Sequence, residues 1–358
     1  MIDRNSYVPA YQQVKLDIEA QILDGRIAIG DKLMSEAEMM RHYGVGRVTV
    51  RNALAELAAA GCIRKEQGLG TFCCALPKGE RRRSIDVFLN TADQDFVPYF
   101  LTGISRVLEE KGCSLLLHDT QDSMEHISRL LRQTLEKGTD GILLQPHTGT
   151  EPVSEACTQA ISMCAEQNVP LVTIDGTFKD VETAYLLNND EQGGYMAARH
   201  LIDAGHTNIA GLFRNRYRDS KFRSAGYCRA MEEAGLPVHL LDAGEATPEQ
   251  WVEYIRREQI TGLVCYNDYL AVKCYRLFDR NQLRVGQDIS VVGFDDTELS
   301  RTSIPRLTTV THPKERMGAM AAEFLLNWIE GTAQLPFHYV FQPDLVCRES
   351  VCRKNCTL

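Results

Sequence analysis

The chain reads as two bodies of different class: a small, mostly helical head with a β-wing over residues 1–74, and a two-lobed α/β body with parallel sheets over residues 84–346. Residues 33–72, LMSEAEMMRHYGVGRVTVRNALAELAAAGCIRKEQGLGTF, hold two helical patterns split by a glycine and then a hairpin pattern with a glycine-rich tip. From residue 84 onward, short apolar runs alternate with amphipathic stretches, the rhythm of repeated βαβ units. Between them lies a polar segment at 75–83, ALPKGERRR, and residues 347–358 form a C-terminal tail.

In the head, an N-terminal helix ends at Gly25. Ser35 followed by Glu38 is a capping box that opens the next helix and buries Met39 and Met40. Gly44 supplies a turn. A further helix runs from about Arg47 to Gly61 with Val50, Leu54 and Leu57 on its inner face. Arg47 and Arg51 stand four apart, so both project from one face near its N-terminus. A basic first turn behind a supporting helix is built to enter a major groove. The hairpin tip, Gln67-Gly68-Leu69-Gly70-Thr71, is small enough to approach a sugar-phosphate backbone. The pattern is a winged helix-turn-helix.

Residues 7 to 74 resemble the GntR family of bacterial regulators at Ser35, Glu36, Val45, Arg47, Thr49, Val50, Arg51, Gly68, Gly70, Thr71 and Phe72. Met34 stands where that family has proline, and Gly46 where it has serine or threonine. On this resemblance Arg47 and Arg51 read base edges, most simply guanine O6 and N7, at about 1–3 kcal/mol of discrimination each. Glu36 orients an arginine or accepts from a cytosine amine. Thr49, Gly68, Gly70 and Thr71 lie along phosphate, Ser35 caps the supporting helix, and Gln67 reaches the minor groove.

The body's strands are expected at SIDVFLN, CSLLLHD, DGILLQP, VPLVTID, NIAGLF, GLVCYN and SVVGFD, between helices at 98–111, 124–137, 152–167, 191–204, 221–234, 248–258 and 268–280. Ligands of such sheets bind beyond the carboxyl ends of the strands. Asp175 (VTID), Asn267-Asp268 (CYND) and Asp295-Asp296 (GFDD) sit there, and Arg223 opens a helix. Carboxylates, amides and one forked guanidinium suit a hydroxyl-rich ligand, and Tyr99 or Phe96 could cover an apolar sugar face. Taken singly, each strand-end residue could instead cap the following helix.

Residues 84–346 resemble the effector domain of LacI/GalR regulators and the type I periplasmic sugar-binding proteins. The matching strings are GISRVLEEKG, LLNNDEQGGYMAARHLIDAGHTNIA, FRSAGYCRAMEEAGL, CYNDYLAVK and VGQDISVVGFDDTELS through IPRLTTVTHP. The resemblance implies a periplasmic-binding-protein-like fold in which Arg223, Asn267, Asp295 and Asp175 hold sugar hydroxyls and His312 lines the cleft at the crossover between lobes. A GntR-type head on a LacI-type body resembles the arabinose repressors of Gram-positive bacteria. This implies a homodimeric repressor on a palindromic double-stranded operator, with L-arabinose as effector and no other cofactor. Pentoses, hexoses and nucleosides all fit the pocket side chains, and activation rather than repression, or a tetramer, stays open.

Charge divides along the same line. Net charge is −9 over 358 residues, yet residues 1–83 hold 13 Lys and Arg against 10 Asp and Glu, and the rest 26 against 38. The head draws phosphate while the acidic body is repelled. No run of eighteen apolar residues and no apolar core behind a basic N-terminus appear, so a cytoplasmic protein without a membrane span is expected. The twelve cysteines form no paired CxxC spacing, and neither a disulfide framework nor a metal site is expected. The absence of a nucleophile elbow, P-loop or Rossmann fingerprint argues against an enzyme.

Overall fold

The computed structural model describes residues 9–66, 69–74, 83–91, 97–178 and 181–354. The chain divides into two compact units, Met1–Arg82 and Arg83–Leu358.

The first unit holds α1 (Ala10–Leu23), α2 (Glu36–Tyr43), α3 (Arg47–Ala59) and a hairpin of β1 (Ile63–Glu66) and β2 (Gly70–Cys73). Val14 and Ile18 of α1, Met39 of α2, and Val50, Ala53 and Leu57 of α3 close one core with Cys62 and Cys73 of the wing. Leu54 and Met40 only flank it, so the inner face of α3 runs through Ala53. Ser35 and Glu38 form the capping box, worth about 1 kcal/mol. Gly44 turns the chain in the left-handed region at φ 65°, where a side chain would be strained. The wing strands are antiparallel, with Ile63 opposite Cys73 and Glu66 opposite Gly70.

The second unit is two sheets. The N-terminal lobe carries β3 (Ser84–Leu89), α4 (Val97–Glu110), β4 (Ser114–Asp119), α5 (Met124–Lys137), β5 (Gly141–Leu144), α6 (Glu155–Glu166), β6 (Leu171–Ile174) and β7 (Ala184–Asn188). The chain then crosses over. The C-terminal lobe carries α7 (Asp190–Asp203), β8 (Ile209–Phe213), α8 (Arg218–Glu233), β9 (His239–Asp242), α9 (Pro248–Arg257), β10 (Gly262–Cys265), α10 (Asp268–Arg280), β11 (Ser290–Asp295), α11 (Glu298–Thr302) and β12 (Thr308–Thr311). It returns with α12 (Lys314–Ile329) and β13 (His338–Phe341), and crosses a third time into β14 (Leu345–Val346).

The sheet orders are β13-β7-β6-β5-β3-β4 and β14-β12-β11-β10-β8-β9. All pairings but β12 with β14 are parallel. The central strands are unbroken apolar runs because helices cover both faces: α4 and α12 on one side of the first sheet, α5 and α6 on the other. Helices α9 and α10 face one side of the second sheet, α7 and α8 the other. Helices α7 and α8 cross with backbones in contact, since a Cβ on Gly194 would run into the Arg223 carbonyl and one on Gly226 into that of Glu191. That approach sets Arg223 beside the first turn of α7.

The residues set apart as a tail from 347 belong, through Lys354, to the C-terminal lobe. Ser350 is buried and donates to the Val291 carbonyl at 2.6 Å, and the Cys352 carbonyl lies 3.0 Å from His206 Nε2. The linker at 75–82 and residues 355–358 lie outside the described residues.

Candidate functional site

Two constellations stand out, one in each unit. In the head, α3 exposes Arg47 and Arg51, and one carboxylate organises them. Glu36 Oε2 accepts from Arg47 Nε at 3.3 Å and lies 3.5 Å from Arg51 Nε, while Oε1 accepts from Lys65 Nζ at 3.2 Å. The Lys65 bond foremost, with Arg47 and Arg51, draws the Glu36 pKa below its ordinary value against burial. Each cation remains at least 60% exposed, so the anchor aims three charges without consuming them. Lys65 was not foreseen: it sits on β1 opposite Thr71, a place visible only once the wing register is known. Thr49 is half-buried on α3, and Gly46, its N-cap, supplies no capping side chain. Gly70 and Thr71 are half-buried on β2, and the Thr71 carbonyl ties down Leu33 N at 2.8 Å. Gln67 and Gly68 lie outside the described residues.

In the body, the carboxyl ends of β6, β10 and β11 face the start of α7 and α8. Arg223 is 1% exposed and sits inside α8, whose first residue is Arg218, rather than opening the helix. Its Nε donates to Asp190 Oδ1 at 2.9 Å and its Nη1 to the Tyr266 carbonyl at 2.8 Å. Its Nη2 lies 3.5 Å from Asp219 and 3.6 Å from Asp295, and the guanidinium rests 3.7 Å over the Phe294 ring. The arginine thus engages three protein carboxylates and one carbonyl.

Asp175 and Asp295 end their strands at φ 59° and 107°, left-handed backbone that non-glycine residues adopt rarely and that clusters at functional sites. His312 joins them across the two lobes: its Nε2 lies 3.1 Å from Asp175 Oδ1 and its Nδ1 3.6 Å from Asp295 Oδ1. Burial opposes a charged imidazole there, but Asp175 and Asp295 together raise the His312 pKa. Burial also works against the Asp295 carboxylate, yet Lys314 and Arg223 hold its pKa well below the usual range. Asp190 goes the other way: burial lifts it to about 6 against the pull of Arg223.

Asn267 is half-buried, and its Oδ1 caps α10 by accepting from Leu270 N at 2.9 Å. Its partner Asp268 is fully buried, accepting from Thr297 N at 2.7 Å and from the Thr309 hydroxyl at 2.5 Å. Capping and core bracing therefore account for that pair's observed bonds. Asp190, Asp219, Tyr266 and Lys314, absent from the sequence-derived set, complete the cluster; Tyr266 donates to Asp219 at 2.7 Å and stacks on Tyr217. A cavity of about 760 Å³ opens beside it, bordered by Tyr99, Asp295, His312 and Lys314, a size suited to a small molecule. Phe96 lies outside the described residues. No cluster that could hold a metal ion occurs among the described residues.

Asp175, Asp219 and Asp190 keep 16%, 29% and 11% of their side chains exposed, whereas Arg223, His312 and Lys314 keep 4% or less. Acceptors face the cleft and the cations stand behind them. Such an arrangement receives hydroxyl hydrogens.

Residues 10–73 match the bacterial regulatory proteins of the gntR family, and residues 198–351 the periplasmic binding protein-like domain. A winged DNA-binding head on a body of that class defines a transcription regulator, not an enzyme. The chain is 32% identical to the arabinose metabolism transcriptional repressor of Halalkalibacterium halodurans, over 95% of this chain and 96% of that one. The corresponding protein of Geobacillus stearothermophilus is 31% identical, over 96% and 98%. The chain belongs to this family of transcriptional repressors. The HTH-type transcriptional repressor PurR of Actinobacillus pleuropneumoniae is 30% identical over 76% of this chain and 82% of its own. Among solved structures, a LacI family regulator from Enterococcus faecium with bound ribose superposes with a TM-score of 0.65 at 22% identity, over 76% of this chain and all of that one. The CelR–cellobiose complex gives 0.62 at 23% identity, over 86% and 91%. These two share the fold. No described helix is long and apolar enough to cross a membrane.

Proposed function

We propose that the protein is a cytoplasmic repressor that binds a palindromic operator as a homodimer and whose operator affinity is controlled by L-arabinose held in the cleft between its lobes. The observation that carries the effector class is the cleft's polarity: partly exposed carboxylates backed by cations already engaged with them. A neutral polyol can donate to the partly exposed carboxylates of Asp175, Asp219 and Asp190. Names printed for full-length relatives support arabinose among the polyols. Asp295 and Arg223 position the acceptors, His312 joins them across the lobes, and the Asn267 amide donates to a ring or hydroxyl oxygen. No further cofactor is required.

In the head, Arg47 and Arg51 read base edges and Glu36 sets their rotamers. Thr49, Gly68, Gly70 and Thr71 follow phosphate, Gln67 reaches the minor groove from the wing, and Ser35 holds the supporting helix in place. Exposed Leu116 and Leu117 on edge strand β4, with Val238 and Leu240 at edge strand β9, support a body-to-body dimer.

A thermal-shift and calorimetric screen of the whole protein against L-arabinose, D-ribose, D-xylose, hexoses, nucleosides and arabinose 5-phosphate tests the effector. A ligand of the folded state stabilises it by about 2.7 kcal/mol at a hundredfold excess over Kd. Selective stabilisation by L-arabinose is expected. Selective binding of another sugar or of a nucleoside would replace the effector, and binding of the phosphate ester alone would overturn the polarity argument.

A further inference from the structure

Besides His312, a second residue ties the lobes together: Arg218, the first residue of α8, meets the N-terminal lobe twice. Its backbone N–H donates to the Thr148 carbonyl at 2.9 Å, and its guanidinium Nη1 donates to the Thr177 carbonyl. Beside it, Tyr217 and Gly149 pair as a short antiparallel bridge. Both acceptors lie on loops that follow strands of the N-terminal lobe, β5 for Thr148 and β6 for Thr177.

Each side of this contact is built. Asp122 fixes the receiving loop by accepting from Thr148 N at 2.8 Å, Thr148 Oγ1 at 2.7 Å and His147 Nδ1 at 3.0 Å. Gly176 leaves room for the guanidinium: a Cβ there would stand 2.5 Å from Arg218 Nη2 and 3.2 Å from the Pro146 ring. Five residues further along the same helix, Arg223 anchors Asp190, Asp219 and Asp295, so α8 carries the cleft cluster and the lobe contact on one rigid element.

We propose that Arg218 is a cross-lobe latch, a positioning residue that converts occupancy of the cleft into a change of operator affinity. The proposal rests on the reading that an effector binds in that cleft. A ligand drawing on Asp175 from one lobe and Asp219 from the other pulls α8 toward the loops at 148 and 177. The Arg218 contacts then exist in the closed arrangement alone, and a ligand shifts an equilibrium only through such differential contacts. Two backbone carbonyls as acceptors make the latch independent of the effector's identity.

The test uses the full chain and two variants. R218A removes the guanidinium. G176A keeps the Arg218 side chain but displaces its far end, a flexible group that can swing aside, while the Pro146 ring gives by a few tenths of an ångström. Operator affinity is measured with and without saturating L-arabinose at fixed salt, sugar binding by calorimetry, and amide exchange by mass spectrometry over residues 216–219. Wild type is expected to show a coupling of at least about fivefold. Both variants bring it below about twofold, still bind the sugar, keep their sugar-free operator affinity and lose exchange protection at 216–219. Coupling at the wild-type value in both variants would overturn the latch. So would loss of all calorimetric sugar binding in both, which would make Arg218 a ligand contact. If L-arabinose leaves wild type unchanged in every assay while G176A still loses protection at 216–219, the lobe contact stands and the arabinose reading fails.

Discussion

Replacing Arg223 by methionine keeps most of its length and removes its charge. The structure sets the consequence. Asp190 and Asp295 lose a shared cation within 3.6 Å; Asp295 is buried and Asp190 keeps only 11% of its side chain exposed. Breaking a buried pair from one side costs about 3–5 kcal/mol. For a body of this size each kcal/mol moves Tm by about 2–4 °C, so a fall on the order of 10 °C is expected near pH 8. The cost depends on pH in a definite direction. Asp190 already titrates at about 6 through burial, and without the guanidinium its pKa rises further. The folded variant then holds a proton that the unfolded chain releases near pH 4, so its deficit is small at pH 5 and grows as pH rises through the folded value. Calorimetric melting of wild type, R223M and R223M/D190N at pH 5 and pH 8 measures this, and the double variant recovers part of the loss. A body transition within 2 °C of wild type at pH 8 would refute the claim that the guanidinium neutralises the cluster.

Three further outcomes follow from the two units. Burial raises Asp268 to about 7, so the folded state keeps a proton that the unfolded state gives up near pH 4; this stability is present at low pH and lost as pH rises toward 7. Urea unfolding from pH 5 to 8 should show that slope in wild type and a flatter one in D268N. R51A should lose about 1–3 kcal/mol of preference for operator over random DNA without changing sugar affinity; a retained operator footprint would remove Arg51 from base reading. E36Q should weaken that preference while raising affinity for random DNA at low salt, because three cations lose the anion that aims them; unchanged discrimination would mean that Glu36 is only a surface partner.

Local signals were legible and long-range ones were not. The capping box at Ser35, the turn at Gly44 and the helix at 268–280 stand where spacing and turn chemistry put them, because each is decided within a few residues. Strand β7 was missed because it follows β6 after a short loop with no helix between. Edge strand β9 alternates only weakly, as its outer side faces water. Helix α12 has an apolar pattern, but nothing in that pattern says that it returns to the first lobe to pack on α4. The cleft shows the same division. Asp175, Asp295 and Asn267 were visible as strand-end residues. Asp190, Asp219 and Lys314 acquire their roles only when α7, α8 and the last crossover meet around Arg223 and Asp295. Arg223 stands inside α8 rather than at its start, and its three carboxylate partners within 3.6 Å come from α7, α8 and the end of β11, which no local pattern brings together.

The most direct test of the account is a titration of operator binding by the full-length protein with L-arabinose, at fixed salt, with D-xylose and D-ribose as controls. The account predicts that L-arabinose alone changes operator affinity by at least about fivefold, in step with calorimetric occupancy of the cleft. Operator affinity that stays constant while the sugar saturates the protein would contradict it.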